Sequence, residues 1–122
     1  MSVLIPKEWE QRHAFMVEAA KAFGAVSRVF EHFGCQPVRS DTLDFAAFVD
    51  TMQAVCRNHR RDPSGVEDLR VTILVFDSHQ RAVRERRKLE TDDFKRGLAS
   101  AQRLRWWLHR TFPDAGPHPE KN

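Results

Sequence analysis

Apolar residues recur at intervals of three and four over the first third of the chain, which is the period of an amphipathic helix. This pattern predicts a first helix over residues 6–33, with Pro6 in its first turn and Gly34 at its end. Gly24 lies in its middle, where we expect a kink or a close crossing of another helix. The predicted apolar face comprises Met16, Ala19, Phe23, Val26, Phe30 and Phe33.

The same spacing returns after a linker over residues 35–39 and predicts a second helix over residues 41–57. Ser40 or Asp41 can cap its N-terminus. The charged residues and the proline over residues 58–63 then predict a turn. The apolar face of this helix comprises Phe45, Phe48, Val49, Met52, Val55 and Cys56.

Residues 69–76 are compatible with two kinds of structure, because their β-branched side chains favour a buried strand whereas their flanks favour a helix. Residues 64–67 match a helix capping box, and the chain offers no second convincing strand for pairing. We therefore predict a third helix over residues 65–89. Its expected inward side chains are Val71, Val75, Phe76, Ala82, Val83 and Leu89.

A fourth helix is predicted over residues 91–112, where Thr91 supplies an N-cap and Asp92 and Asp93 suit the positive end of the helix dipole. Four helices with short connections predict an all-α fold, a four-helix bundle of one domain over residues 1–112. A kinked first helix or a short extra helix is compatible with it. Prolines after residue 112 predict a flexible tail over residues 113–122. The core side chains of the fourth helix are Phe94, Leu98, Ala101, Leu104, Leu108 and Phe112.

Charge separates the two halves of the chain. Residues 1–55 carry five Lys and Arg against seven Asp and Glu, whereas residues 56–122 carry fifteen against ten. Fifteen of the twenty cations are Arg, whose planar guanidinium forms paired hydrogen bonds with phosphate. The C-terminal half therefore favours an anionic partner. Because the sequence has neither a membrane-length apolar stretch nor a signal peptide, we expect a cytoplasmic protein that does not enter a membrane.

The polar face of the fourth helix carries arginines at intervals of seven residues, Arg96, Arg103 and Arg110. On a helix of about 100° per residue they form a stripe opposite the core face, with Trp107 almost along it and Trp106 on its flank. Guanidinium groups beside an exposed indole are typical of surfaces that contact phosphates and stack on bases. The alternative is that one Trp packs against a neighbouring helix or the tail.

The third helix carries a second basic stripe, interrupted only by Asp77. Antiparallel packing of the third and fourth helices would let both stripes border one groove. We therefore predict binding to the backbone of single-stranded DNA or RNA, with salt-sensitive affinity and little dependence on sequence. A solvated charged face is the alternative. The predicted binding residues are Arg70, Arg81, Arg84, Lys88, Arg96, Arg103, Arg110, Trp106 and Trp107.

Catalytic and metal-binding patterns are sparse. The six His and two Cys residues show no metal-ligand spacing, so we expect no metal and no cofactor. The segment from Arg103 to His109 has an Arg and a His separated by five residues, and so resembles the signature of HEPN-domain ribonucleases. That resemblance implies that His109 acts as the acid or base at a ribose 2′-hydroxyl while Arg103 steadies the phosphate. On an ideal helix the two side chains point about 120° apart, and Leu104 stands where that family commonly has a polar residue.

The chain as a whole resembles the small-subunit family of multi-subunit CRISPR effector complexes in its size, its helix content and its acidic and basic halves. The resemblance implies a non-enzymatic subunit in antiviral defence, which contacts neighbouring subunits and copies of itself and helps hold the target or the displaced strand. The basic residues that would face nucleic acid are Arg81, Arg84, Lys88, Arg96, Arg103 and Arg110. The acidic residues that would meet basic neighbours are Glu8, Glu10, Glu18, Asp41, Asp44 and Asp50. A third interpretation is a protein-only inhibitor or interaction module that uses the same basic face.

Overall fold

The fold consists of four helices in a computed structural model that describes residues 7–35, 45–87 and 91–115. The helices are α1 (Lys7–His32), α2 (Phe45–Asn58), α3 (Val66–Glu85) and α4 (Thr91–Thr111). The described residues contain no strand, so residues 69–76 are helical and the predicted all-α four-helix bundle is confirmed. Residues 113–115 were expected to begin a flexible tail, but Ala115 is buried against the bundle. The remainder of that tail lies outside the described residues.

Ring contacts give the directions of three helices. Phe15 contacts Phe94 in the first half of α1 and at the start of α4, and Phe33 contacts Phe112 just past the ends of both helices. α1 and α4 are therefore parallel. His79, in the second half of α3, also packs on Phe94, so α3 is antiparallel to both of them.

α2 is the shortest helix and covers only part of the bundle. Phe48 in its first turn packs on Phe23 and Phe30, and His59 just after its end packs on Phe33, so α2 runs in the same general direction as α1. One buried cluster takes residues from all four helices, whereas a second cluster around Phe15 and Phe94 takes them from α1, α3 and α4 alone. We call these the four-helix end and the three-helix end. The C-termini of α1, α2 and α4 and the N-terminus of α3 meet at the four-helix end.

α1, α3 and α4 approach each other closely at Gly97 in α4, whereas no other helix lies close to Gly24, where a kink or a close crossing was expected. A Cβ atom on residue 97 would lie 2.7 Å from Phe15 Cε1 and 2.8 Å from Val75 Cγ1. A Cβ atom on residue 24 would have only Arg28 Nη1 nearby, at 3.9 Å. Only a glycine therefore lets α1, α3 and α4 approach each other as they do at residue 97.

Both ends of α3 differ from the prediction. Its N-cap is Gly65, which has no side chain to bond the helix, and Ser64 instead donates its hydroxyl to Asp62 at 2.7 Å, so there is no capping box. The helix ends at Glu85 rather than at residue 89, because Arg86 adopts a left-handed conformation. The amides of residues 86 and 87 then bond the carbonyls of residues 83 and 82 and close the helix.

The inward face of α3 also differs from the prediction. Val75 and Ala82 are buried and Val71 and Phe76 half-buried, but Val83 is 51% exposed. The buried positions rotate around the helix by about a third of a turn between its two halves, because the first half packs in the four-helix cluster and the second in the three-helix cluster. Leu89 lies outside the described residues. The buried residues that the apolar pattern missed are Val66, Leu69, Thr72, Ile73 and His79.

The other predicted faces are largely confirmed. The inward positions of α2 from residue 48 onwards and those of α4 are buried, apart from the half-buried Leu98. α1 buries Ala19, Val26 and Phe30 as expected. Met16, Phe23 and Phe33 are half-buried. The fully or nearly fully buried positions of α1 that the pattern missed are Phe15, Ala22 and Val29.

Candidate nucleic-acid interface

A groove lies between the start of α3 and the last turns of α4, at the four-helix end. Its volume is about 340 Å³, and it is open to solvent. α3 and α4 run antiparallel on either side of it, which is the packing that the predicted groove between the third and fourth helices needs. Its lining residues are Ser64, Gly65, Asp68, Arg103, Trp106, Trp107 and Arg110.

Trp107 forms the floor of the groove and is not an exposed base-stacking residue, so that prediction is wrong. Its side chain is only 2% exposed, and its indole Nε1–H donates to the Asp62 carbonyl at 2.9 Å. The indole lies directly on Gly65, where a Cβ atom would overlap the ring. The alternative of packing against a neighbouring helix is therefore the correct one. α4 buries this side because α3 covers it, in addition to the face that α1 covers.

Trp106 has the opposite environment and remains on the surface. It is 72% exposed, the highest exposure among the large hydrophobic residues that the structure describes. It lies three residues after Arg103 and four before Arg110, so the three side chains are close neighbours on one side of α4. An exposed indole face between two guanidinium groups can accept a base while the cations contact phosphates.

The two arginines of the groove are not equivalent. Arg103 donates from Nε to Asp68 Oδ1 at 3.1 Å and from Nη2 to Ser100 Oγ at 3.2 Å. Arg110 is exposed, and no carboxylate of residues 7–35, 45–87 and 91–115 lies within 4 Å of it in an ion pair. Its charge helps to lower the pKa of Asp62, although hydrogen bonds from Ser64 are the larger cause. Arg110 is therefore the cation of this groove most available to a ligand.

The other predicted cations do not form one continuous basic trough with these two. Three of them pair with carboxylates on their own helix: Arg70 with Glu67 at 3.7 Å, Arg81 with Asp77 at 2.6 Å, and Arg96 with Asp93 at 3.7 Å. Hydrogen bonds from Arg81 to Asp77 are also the main reason that the pKa of Arg81 is raised. The ion pairs reduce the positive charge that these stripes offer to a ligand. Arg84 is exposed but lies outside the groove, and Lys88 lies outside the described residues.

One predicted partner-facing acid is engaged inside the protein. Glu18 accepts a hydrogen bond from Arg105 at 2.9 Å, and both side chains are largely buried between α1 and α4. Glu18 is thus part of the bundle and not available to a basic neighbour. Glu10 and Asp50 are exposed. Asp41, Asp44 and the side chain of Glu8 lie outside what the structure describes.

Arg61, His32 and Asp114 form a cluster at the four-helix end, here called the clamp, which holds the chain after α4. The sequence did not predict this cluster. Arg61 donates to both Asp114 carboxylate oxygens, at 3.1 and 3.0 Å, and to the Thr111 carbonyl at 2.8 Å. Its guanidinium carbon lies 5.5 Å from the centre of the Phe112 ring. His32 Nε2 lies 3.2 Å from Asp114. The hydrogen bonds from Arg61 lower the pKa of Asp114, with smaller contributions from the charges of Arg61 and His32.

The clamp and the groove share one loop, because Asp62 follows Arg61 directly. The Asp62 carboxylate accepts hydrogen bonds from the Ser64 amide at 3.0 Å and from its hydroxyl, which fixes the turn into α3. The Asp62 carbonyl accepts the Trp107 indole proton. Cys56 packs beneath, and burial raises the pKa of its thiol, with the charge of Asp62 adding to the effect. The Trp107 floor of the groove is therefore fixed by its hydrogen bond to Asp62, by the hydrogen bonds between Asp62 and Ser64, and by the packing of Cys56.

The histidines do not assemble a metal site within the described residues. No group of three or more His, Cys, Asp and Glu side chains there could hold a metal ion. In the HEPN-like pair, the Arg103 guanidinium is already engaged by Asp68 and Ser100, and His109 is exposed six positions later. The two hydrogen bonds of Arg103 do not distinguish nuclease chemistry from phosphate binding.

Comparison of the chain with protein-family models, curated proteins and solved structures gives no match. Among the described helices, none combines the length and the apolar character that crossing a membrane would need.

Proposed function

We propose that the groove between α3 and α4 binds the backbone of single-stranded nucleic acid. One observation carries the proposal: the exposed Trp106 lies between Arg103 and Arg110 above a floor that is fixed by Trp107. In this arrangement Arg110 and Arg103 contact phosphates and Trp106 stacks on a base. A duplex keeps the faces of its bases stacked inside, so an unpaired strand is the better ligand.

Binding of this kind depends on charge and stacking and not on base edges. Each phosphate neutralised releases counterions, and for a single strand the logarithm of affinity falls by about 0.7 per contact for each tenfold increase in salt. Two arginines therefore predict a modest salt dependence, and the indole predicts tolerance of any base. The affinity of the isolated protein is expected to be weak, because a single groove supplies few contacts.

The proposal extends to a larger assembly in which weak individual sites act together. The resemblance to the small subunits of CRISPR effector complexes in size, helix content and charge supports a non-enzymatic subunit that holds a target or displaced strand. Repeated copies along one strand would multiply weak contacts into stable binding. The exposed Glu10 and Asp50 then remain for basic neighbouring subunits.

A test is to titrate labelled single-stranded DNA and RNA into wild-type protein, Trp106→Ala and the double variant Arg103→Gln/Arg110→Gln, at two salt concentrations. Trp106→Ala should weaken binding about tenfold at both salt concentrations, since loss of a stacked base costs about 1–3 kcal/mol. The double variant should weaken binding and also flatten the salt dependence, by about 1.4 in slope.

The matched control is Lys21→Gln/Lys95→Gln, which removes the same charge from two exposed lysines outside the groove. It should retain most of the affinity. Equal losses in both double variants would show only an effect of net charge, and binding by no variant, including the wild type, would contradict the proposal. The same samples, resolved for RNA length, report cleavage, which would favour the ribonuclease interpretation.

A further inference from the structure

Asp68 places a negative charge inside the groove that is proposed to bind a polyanion. Its Oδ1 atom lies 3.1 Å from both Nε and Nη2 of Arg103, so one carboxylate oxygen occupies the edge of the guanidinium that a phosphate would use. The Asp68 side chain is only 21% exposed, and Ser100 Oγ accepts a further hydrogen bond from Arg103 Nη2. The Nε/Nη2 edge of Arg103 is therefore occupied when the groove is empty.

A phosphate oxygen at Arg103 and the Asp68 carboxylate cannot both use that edge. A ligand must either displace Asp68 or bind beside it, and the second arrangement brings two anions together at an unfavourable distance. Among the described residues Arg110 has no carboxylate in an ion pair within 4 Å, although its charge acts on Asp62. The two cations thus differ: Arg110 is open to the first phosphate, whereas the Nε/Nη2 edge of Arg103 is released only when a ligand replaces Asp68.

We infer that Asp68 is an internal competitor that sets the affinity of the groove for nucleic acid by occupying Arg103 in the free protein. This inference rests on the proposed function, since it concerns the same groove. Bound and free states then differ by the exchange of one partner of Arg103, from carboxylate to phosphate.

A purely structural role for Asp68 predicts a different result. Glu67 and Asp68 are acids in the first turn of α3, where negative charge stabilises a helix. If this were the whole role of Asp68, its neutralisation would lower stability and leave affinity unchanged or reduced. If Asp68 competes for Arg103, neutralisation raises affinity, whatever happens to stability.

The experiment measures binding of a labelled single strand to Asp68→Asn, Arg103→Gln and the double variant, with thermal melting of each protein. Asp68→Asn should bind about fivefold more tightly, the scale of one exposed ion pair, and its salt slope should match that of the wild type, because Arg103 and Arg110 each contact one phosphate in both complexes. In the Arg103→Gln background the same change should give no gain. Glu31→Gln, an equal charge change on the exposed surface of α1, is the control and should not reproduce the gain.

Wild-type binding together with equal or weaker binding by Asp68→Asn would overturn the inference while leaving the proposed function in place. A gain that persists in the Arg103→Gln background would also overturn it, because the gain would then come from general charge. Absence of binding by both the wild type and Asp68→Asn would overturn the proposed function and this inference together.

Discussion

At the four-helix end the polar side chains lie near the surface and are paired, whereas at the three-helix end a histidine is buried with one ring nitrogen unpartnered. Arg61, Asp114 and Asp62 each make two or more hydrogen bonds around the clamp and the groove. His79 is 5% exposed, and its Nδ1 atom has no hydrogen-bond partner among the described residues. Polar groups at the first end can exchange partners with a ligand, while those at the second end make stability sensitive to protonation.

The environment of His79 explains this sensitivity. Arg12 on α1 donates to His79 Nε2 at 3.4 Å, so the neutral ring carries its proton on the unpartnered Nδ1. On the α4 side the ring packs edge-on against Phe94 at 5.8 Å between centroids. A second proton would place a buried cation beside the Arg12 guanidinium. Burial first, and the charge of Arg12 second, therefore lower the pKa of His79 below 6.5.

The largest effects expected from substitution come from two glycines that have no room for a side chain. Gly65→Ala at the four-helix end and Gly97→Ala at the three-helix end each add a methyl group where atoms already lie. Each should lower the free energy of unfolding by about 2–3 kcal/mol, measured by urea denaturation. Gly24→Ala is the control, since its methyl group has space, and it should raise stability by about 0.5–1 kcal/mol. A fully stable Gly65→Ala would contradict the packing of Trp107 on residue 65.

A smaller effect is expected from pH, because protonation of His79 should lower stability at the three-helix end. Because the pKa of His79 in the folded state lies below its unfolded-state value near 6.5, the unfolded state binds the proton more readily. The free energy of unfolding should therefore fall as pH drops from about 6.5 towards the folded-state pKa. His79→Leu should flatten the stability profile in this range, and His13→Gln, an exposed histidine on α1, should not. A wild-type profile without this slope would show that His79 binds a proton as readily in the folded protein as in the unfolded protein.

The clamp should respond in a different and more acidic range. The pKa of Asp114 is lowered from 3.8, so its contribution to stability is present above about pH 3.8 and is lost as pH falls through the folded-state pKa. Asp114→Asn should remove this part of the acid transition and leave the slope near pH 6 intact. The effect is expected to be small because the pair is partly exposed. An unchanged acid transition in Asp114→Asn would contradict a stabilising clamp.

The helices were predictable because their apolar period is a local property of the sequence. The core positions of α2 and α4 follow from it directly. Those of α2 all lie in the four-helix cluster, and α4 keeps the same inward face although it passes from the three-helix cluster to the four-helix cluster. α3 could not be predicted in this way because it passes from a four-helix to a three-helix environment, and its buried side turns with its neighbours. His79 and Thr72 are buried on α3, and neither belongs to an apolar pattern.

The candidate site was predictable only in part. The spacing of Arg103, Trp106 and Arg110 placed them on one side of α4. The same helical spacing could not show that a second helix covers Trp107. Nor could it show that Asp68, thirty-five positions earlier, meets Arg103, because that contact depends on the antiparallel packing of α3 and α4. The glycine before α3 was a usable signal: an indole can lie on a backbone only where a side chain is missing.

The most direct test of the central claim is heteronuclear NMR of the three indole Nε1–H groups during titration with a short single strand, with assignment by the variant Trp106→Phe. The groove predicts that the Trp106 signal shifts with added strand. The Trp107 signal should move little, because its proton stays bonded to the Asp62 carbonyl beneath the groove, and the Trp9 signal should not move. Binding that shifts Trp9 and leaves Trp106 unchanged would contradict the account, because the strand would then lie elsewhere on the bundle.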